Sequence, residues 1–241
     1  MVSLIKKKNS KLIARQVISL EIEALKLLKK SLNRNFDKAV NAIVNCQSKI
    51  IFCGVGKSGL IASKIASTMS SVGCPAFSLS ANDCLHGDLG SISSKDLLIL
   101  ISNSGKSKEL LPIIKFANRN KIKIIGIVSE KNSSLYKGSD IQILLPEVKE
   151  AGLGIVPTSS TSVQLAVGDA LAVSALNKKK FSKYDFSKLH PGGNLGKQLK
   201  TVEELMVTKN KIPFINENKN LKNAIKTITS KKLGVLIARN S

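Results

Sequence analysis

The sequence predicts an α/β protein whose core is a five-stranded parallel sheet flanked by helices. Segments of strand and helix character alternate along the chain, and the strand segments are continuous apolar runs rather than alternating patterns. Continuous apolar strands indicate a sheet that helices cover on both faces, which is typical of parallel pairing. Because such sheets bind ligands beyond the carboxyl ends of their strands, the residues that follow each strand are the candidates for function.

Apolar residues at helical spacing predict a long helix over residues 8–32 and a second helix over residues 36–45. Short apolar runs predict strands at residues 50–53, 75–79, 97–101, 122–128 and 141–145. Further helices are predicted at residues 60–69, 110–117 and 162–176. This alternation of strand and helix is what a doubly covered parallel sheet requires.

The chain changes character after residues 190–193, and new elements are predicted from Thr201 onward. A short helix is followed by a predicted strand at 212–215, a helix at 221–229 and a strand at 233–238. Two short strands and two helices bury little apolar surface by themselves. This segment is therefore predicted to be a truncated or minimal second module.

The charge balance is strongly basic, with 38 basic and 16 acidic residues and a formal charge of +22. Nucleic-acid binding is the first expectation, but only four basic residues are arginine, aromatic residues make up 4% and tryptophan is absent. Base recognition favours arginine, and stacking needs aromatic rings. We therefore expect no nucleic-acid partner and a positive field that attracts a small anionic substrate.

Membrane and metal classes are also disfavoured. The longest apolar run, residues 97–101, is far shorter than the roughly 20 residues of a membrane-spanning helix, and the start of the chain has no apolar stretch of signal-peptide length. A cytoplasmic protein is expected. The four cysteines form no C-x-x-C pair, which argues against a zinc site and a redox motif.

The first predicted strand ends in a glycine turn that opens a helix, Gly54-Val55-Gly56-Lys57-Ser58-Gly59. The turn matches the dinucleotide fingerprint, but the second strand has no acidic residue at its end to bind a ribose. It also resembles the end of a P-loop, yet Ile51 stands where that motif needs glycine. What remains is an anion site made of backbone N–H groups, with Gly56 and Ser58 as binding residues and Lys57 as a charge or proton donor.

Two clusters of hydroxyl residues also open predicted helices. One follows the third strand, at residues 102–107, and the other precedes the long last helix, at residues 157–161. Ordinary helix capping is the alternative, but the number of serines exceeds what capping needs. Hydroxyl and N–H groups bind phosphate without a metal, so a phosphosugar is favoured over a dinucleotide. The binding candidates are Ser102, Asn103, Ser104, Ser107, Thr158 and Ser159.

Four ionisable residues are candidates for proton transfer. Glu109 lies at the start of a helix, where it could simply favour the helix dipole, and Glu150 lies in a loop. His86 and His190 are the only histidines, and each stands next to glycines in a loop. A structural role is the alternative for each of them.

Taken together, these motifs resemble the arabinose-5-phosphate isomerases, which carry a SIS domain followed by a pair of CBS modules. The shared segments are residues 56–59, 81–90, 101–105, 157–161, 168–172 and 190–193. The resemblance implies a flavodoxin- or Rossmann-like three-layer SIS domain over residues 1–198 and a partial CBS module over residues 199–241. It also implies a homotetramer whose sites combine neighbouring subunits, without a metal or cofactor.

The resemblance also implies roles for individual residues. Lys57, Glu109, Glu150 and His190 correspond to the family's active-site residues, and His86 to a second active-site histidine. The implied reaction interconverts ribulose 5-phosphate and arabinose 5-phosphate through an enediol and supplies Kdo synthesis. Two features depart from the family: the loop after Glu150 is one residue shorter and lacks a Cys-Pro pair, and the CBS pair is cut to about half of one module.

The residues alone leave several alternatives open. Either Glu150 or His190 would handle the carbon-bound proton, and Lys57 or a histidine would stabilise the charge on oxygen. Glu109 would orient a hydroxyl or help to open the ring. A non-catalytic phosphosugar-binding regulator and an isomerase of another sugar phosphate are the competing functions.

Overall fold

A computed structural model describes residues 9–190 and 201–240. The chain divides into two compact units, Met1–His190 and Pro191–Ser241. The domain boundary predicted between residues 198 and 199 lies outside the described residues and stays a prediction.

The larger unit contains one parallel sheet and the helices that cover it. Its strands are β1 (Ile50–Gly54), β2 (Ala76–Ser80), β3 (Leu97–Ile101), β4 (Lys123–Val128) and β5 (Ile141–Leu144). Its helices are α1 (Ser10–Ser31), α2 (Arg34–Val44), α3 (Lys57–Ser71), α4 (Leu110–Arg119), α5 (Ser134–Gly138), α6 (Gly152–Ile155), α7 (Ser159–Lys178) and α8 (Lys183–Leu189). The predicted fold class is confirmed.

The strands follow the order β2-β1-β3-β4-β5, and all neighbours pair in parallel. Gly54, the last residue of β1, pairs with Ser80 of β2 and with Ile101 of β3. The chain moves to one side of β1 to form β2 and to the other side to form β3. This topological switch point, between β1 and β3, is where open parallel sheets bind ligands.

The two faces of the sheet bury different sets of side chains, which explains why the strands are apolar at every position. Ile50 and Phe52 of β1 pack in the core formed with α1, α2, α3 and α7. Ile51 and Cys53 point the other way, into the core formed with α4 and α5. Successive strand residues face opposite sides, so a sheet covered twice needs an apolar residue at each position.

Helices α3 and α7 pack side by side and run in the same direction. Gly168 of α7 has no side chain, and a Cβ there would lie 2.2 Å from Cδ1 of Ile65. Lys64, one residue before Ile65, forms an ion pair with Asp169, one residue after Gly168, at 2.5 Å. The ring of Phe181 lies against Gly73 after the helix ends. These contacts join the middles of the two helices and then the segments just after their C-terminal ends, so the helices run in the same direction and begin next to each other at the carboxyl edge of the sheet.

The helix starts differ from the predicted ones. Helices α3 and α7 each begin three residues earlier than the predicted starts at residues 60 and 162. Both first turns contain polar residues that the apolar spacing does not include. Lys57 and Ser159 therefore belong to first helical turns rather than to the preceding loops.

The smaller unit contains a two-stranded parallel sheet of β6 (Phe214–Asn216) and β7 (Ile237–Arg239). Its helices are α9 (Val202–Leu205) and α10 (Leu221–Lys231). The predicted helix at 221–229 is confirmed, and the strands lie slightly later than the predicted 212–215 and 233–238. The assignment to a partial CBS module stays a prediction. No helix among the described residues of either unit is long and apolar enough to cross a membrane.

Candidate functional site

The turn between β1 and α3 exposes free backbone amides. Gly56 has a φ of +57° and, as the residue before the helix, offers no side chain to cap it. A Cβ at Gly54 would lie 2.8 Å from the backbone of Ser58, so the turn is tightly closed. Among the described residues, the N–H groups of Lys57 and Ser58 have no hydrogen-bond partner. Free N–H groups at a helix start can bind anions, and the anion site predicted at this turn stays a prediction.

A cavity of about 470 Å³ lies beside this turn, between β1 and the segment after β2. Polar groups of Ser63, Ser78, Asp83 and Asp88 are among its lining. The two aspartates were not among the predicted site residues, although they flank His86 in the sequence. His86 itself is exposed and ends a short 3-10 turn, Asp83–His86.

The turn after β3 is organised by serine hydroxyls. The buried Oγ of Ser102 accepts a hydrogen bond from the Gly105 amide at 3.1 Å and lies 3.0 Å from Oγ of Ser107. Oγ of Ser104 accepts from the Lys106 amide at 3.3 Å. These bonds hold the hydroxyls at the end of β3, next to the glycine turn that follows β1.

Asn103 and Glu109 frame the same turn. The backbone carbonyl of Asn103 accepts hydrogen bonds from the amide and the hydroxyl of Ser129, at 2.9 and 2.6 Å, and the Asn103 side chain is exposed. Glu109 immediately precedes α4, is half-buried and makes no side-chain cap hydrogen bond. Its carboxylate is therefore not used in capping the helix that it precedes.

Glu150 holds the start of α7. Its Oε2 accepts hydrogen bonds from the Thr158 amide at 2.8 Å, the Thr158 hydroxyl at 3.1 Å and the Ser160 amide at 3.4 Å. Burial alone would raise the pKa of this carboxyl, but the hydrogen bonds from Ser160 and Thr158 outweigh burial and lower the pKa. Glu150 is therefore ionised at neutral pH, and it engages two groups of Thr158 that the sequence assigned to a phosphate.

Ser159 differs from its neighbours in the hydroxyl cluster. It is fully buried, and its hydroxyl has no partner among the described residues. The same is true of both amide atoms of Gln164, one turn further along α7. Sequence reasoning missed Gln164; the available signal was a polar residue among the buried positions of a helix.

His190 follows α8 and is half-buried against Phe186. Its Nδ1 lies 2.9 Å from the Phe186 carbonyl oxygen, and the two rings stack with centroids 3.9 Å apart. A carbonyl oxygen only accepts hydrogen bonds, so Nδ1 carries a proton, and in the neutral ring Nε2 is the nitrogen with a free lone pair. The ring is oriented and able to accept a proton.

The fold keeps His190 away from the other candidates of its own chain. Helix α7 has 20 residues and so carries the chain about 30 Å from the carboxyl edge of the sheet. Phe181 then packs on Gly73, which precedes β2 at the opposite edge. Helix α8 has seven residues and returns the chain by about 10 Å at most. Subtracting the second length from the first leaves a gap of roughly 20 Å between His190 and Lys57.

The structure thus brings together part of the predicted set. Lys57, Ser58, the 102–107 turn and the start of α7 lie along one edge of the sheet, around the switch point. Among the described residues, no hydrogen bond or ion pair joins any two of the four predicted catalytic residues. Within the same residues, no group of three or more His, Cys, Asp or Glu is arranged to hold a metal ion.

Comparison with known proteins gives consistent matches. The SIS domain family model matches residues 43–174. The arabinose 5-phosphate isomerase KdsD of Yersinia pestis is 40% identical over 225 residues, covering 92% of this chain and 69% of that protein. KdsD of Francisella tularensis is 41% identical over 232 residues, covering 94% of this chain and 71% of that protein. The solved structure of E. coli CFT073 c3406 in complex with arabinose 5-phosphate is 36% identical, with a TM-score of 0.73, and covers 76% of this chain and 99% of that one.

Proposed function

The chain belongs to the SIS-domain family of arabinose 5-phosphate isomerases, and on this basis we propose that it interconverts D-ribulose 5-phosphate and D-arabinose 5-phosphate. The observation that carries the proposal is the meeting of two turns at the switch point. The free amides that open α3 lie beside the hydroxyls of the 102–107 turn, because β1 and β3 pair directly. Together they form a metal-free phosphate site.

The phosphoryl group is the end of the substrate that these turns bind. Amides at the start of a long helix attract a dianion through hydrogen bonds and the helix dipole. In the hydrogen-bonded pair Ser102 and Ser107, one hydroxyl donates to the other, and the second O–H is left as a further donor. The proposed binding set is Gly56, Ser58, His86, Ser102, Asn103, Ser104, Ser107, Thr158 and Ser159.

The chemistry is a proton transfer between two adjacent carbons. A base removes a proton from C1 of ribulose 5-phosphate while an acid protonates the C2 carbonyl oxygen, which gives an enediol. Returning a proton to C2 and removing one from the C1 hydroxyl gives the aldose. No electron acceptor or hydride carrier takes part, because the two carbons exchange oxidation states.

Two residues compete for the role of base. His190 has an oriented ring and a free Nε2 lone pair, whereas Glu150 is ionised but already accepts several hydrogen bonds. The hydrogen bonds that lower the pKa of Glu150 also weaken its carboxylate as a base. Lys57, on the exposed first turn of α3, would stabilise the charge on the substrate oxygen. Glu109 would orient a hydroxyl or assist ring opening.

We further propose that the site is completed between copies of the chain, in a homotetramer. His190 is too far from Lys57 of its own chain, so a neighbouring copy must supply the histidine if the family roles hold. Apolar side chains on the surface support such contacts: Leu153 is 97% exposed and Ile155 75% exposed, both in the loop after Glu150. Large exposed apolar groups at one place mark interaction surfaces.

We propose that the product supplies Kdo synthesis in the cytoplasm, as the family resemblance implies. The reaction needs neither a cofactor nor a metal in this scheme. Sugar phosphates are the only ligands the proposal requires.

The proposed function is tested by mixing the protein with ribulose 5-phosphate in metal-free buffer and following arabinose 5-phosphate by NMR. Formation of arabinose 5-phosphate, with little ribose 5-phosphate, is the expected result. Tight binding of sugar phosphates without turnover would instead identify a non-catalytic regulator. Turnover of a hexose or heptose phosphate alone, in a panel of substrates, would identify an isomerase of another sugar.

A further inference from the structure

Gln164 carries a buried side-chain amide. It is 1% exposed, and neither its Nε2 nor its Oε1 has a partner among the described residues. Leaving buried amide atoms unpaired is destabilising, so such a group in a folded protein needs an explanation. An ordered water or a bound ligand is the usual partner.

The helix geometry shows where Gln164 lies. It is one turn after Ser160, whose amide donates to Glu150, and one turn before Gly168, which packs on Ile65 of α3. Residues four apart share a face of a helix, so Gln164 faces α3. Because the two helices run parallel from neighbouring starts, Gln164 lies between them and just inside their first turns.

The starts of α3 and α7 differ in whether their first backbone amides are hydrogen-bonded. At α7, the carboxylate of Glu150 already satisfies the first amides. At α3, Gly56 provides no side-chain cap, and the amides of Lys57 and Ser58 have no partner among the described residues. A 15-residue helix with free amides and an unpaired buried carboxamide beside its first turn is a site for an anion with an associated water.

We infer that Gln164 is a positioning residue for the substrate phosphoryl group, and that its carboxamide binds an ordered water joining the first turn of α3 to a phosphate oxygen. A buried water needs two to four polar partners, and the carboxamide, a free amide of α3 and the phosphate supply three. The inference relies on the proposed function for the identity of the phosphate ester. It does not depend on the isomerisation, because phosphate binding is measured separately.

The test compares two variants. Gln164→Met keeps an unbranched side chain of similar length and removes the carboxamide. We expect its ligand-free melting temperature to be equal to or above that of the wild type, because an unpaired amide is gone. Its Kd for inorganic phosphate and its KM for arabinose 5-phosphate should rise about tenfold, with kcat within about twofold. Gln164→Glu should weaken phosphate binding more, and less so at low pH, because its charge repels the phosphate.

Gln142→Met is the matched control. Its amide is half-buried but paired, since Nε2 donates to the Ser139 carbonyl at 2.5 Å. This variant should melt at a lower temperature and bind phosphate like the wild type, as expected for loss of a structural hydrogen bond away from the site.

Two outcomes would overturn the inference. Wild-type phosphate affinity and KM in Gln164→Met would show that the carboxamide does not act on the phosphate. A lower ligand-free melting temperature of Gln164→Met, with an unchanged increase of that temperature when phosphate is added, would show that the carboxamide binds a purely structural water. If the wild-type protein binds phosphate but does not isomerise ribulose 5-phosphate, the proposed function fails, and weaker phosphate binding by Gln164→Met would still support the role of Gln164.

Discussion

Mixing two inactive variants tests whether Lys57 and His190 meet in one site across neighbouring copies. Lys57→Ala removes the cation on the first turn of α3, and His190→Ala removes the oriented imidazole after α8. Each variant alone should lose at least about 100-fold in kcat, which is the lower range for loss of an acid–base group. Neither change touches the buried core, so both variants should fold and assemble.

The separation of Lys57 and His190 determines how much turnover the mixture should recover. Helix α7 separates the two residues of one chain by more than their side chains span, so each site would take Lys57 from one copy and His190 from another. After unfolding and refolding equal amounts together, half of the chains carry each intact residue. A site has both with a probability of about one quarter, the product of the two fractions in a random oligomer. The mixture should therefore recover about one quarter of wild-type turnover.

The assay follows conversion of ribulose 5-phosphate by NMR, before and after joint refolding. Variants that are refolded separately and then mixed give the control, since no hybrids form during their folding. Recovery limited to the co-refolded sample supports a shared site. A hybrid oligomer, verified by mass, with no more activity than its inactive parents would refute the assignment of both residues to one intersubunit site.

Three further predictions concern the scaffold of the larger unit. Glu150→Ala should lower the free energy of unfolding by about 1–2 kcal/mol, because α7 loses its cap. Glu150→Gln should keep most of that stability. Full turnover by Glu150→Gln in the NMR assay would therefore exclude Glu150 as the base. Neighbouring donors outweigh burial and lower the pKa of Asp96 from 3.8 to about 2, so its carboxylate stabilises the fold by about 2 kcal/mol above pH 4. That stability should disappear as the pH falls from 4 to 2, and urea unfolding of Asp96→Asn should show a flatter pH dependence there. Gly168→Ala should lower the free energy of unfolding by about 1–3 kcal/mol, because its Cβ clashes with Ile65. In a double-mutant cycle, the variant that combines Gly168→Ala with Ile65→Ala should lose less stability than the sum of the two single losses.

The fold could be predicted from the sequence where apolar residues are continuous. Strand β3 lies at the predicted residues, 97–101, because each of its side chains is buried on one face of the sheet or the other. The apolar pattern predicts late starts for α3 and α7, because their first turns are polar and contribute little to the core. Short turns such as Asp83–His86 have too few residues to show a period.

The candidate site could be predicted only in part. The serines of the 102–107 turn were identified because hydroxyls cluster where a strand meets a helix, and the structure connects them by hydrogen bonds. The bonds between Glu150 and Thr158 depend on how the intervening loop closes, which residue types do not determine. The unpaired amide of Gln164 becomes visible only when its surroundings are known.

His190 shows that a sequence motif can identify a candidate residue without indicating its distance from the other candidates in the fold. Its imidazole is fixed by Phe186 within α8, so its orientation does not depend on the rest of the site. Its position does depend on α7, a helix of 20 residues that packs along the full length of α3 and ends at the opposite edge of the sheet. Shortening this helix would break its contacts with α3, so the core itself holds the histidine away from Lys57. A site that uses both residues therefore requires association of chains, and dilution below the dissociation constant of the oligomer should abolish turnover before it unfolds the sheet.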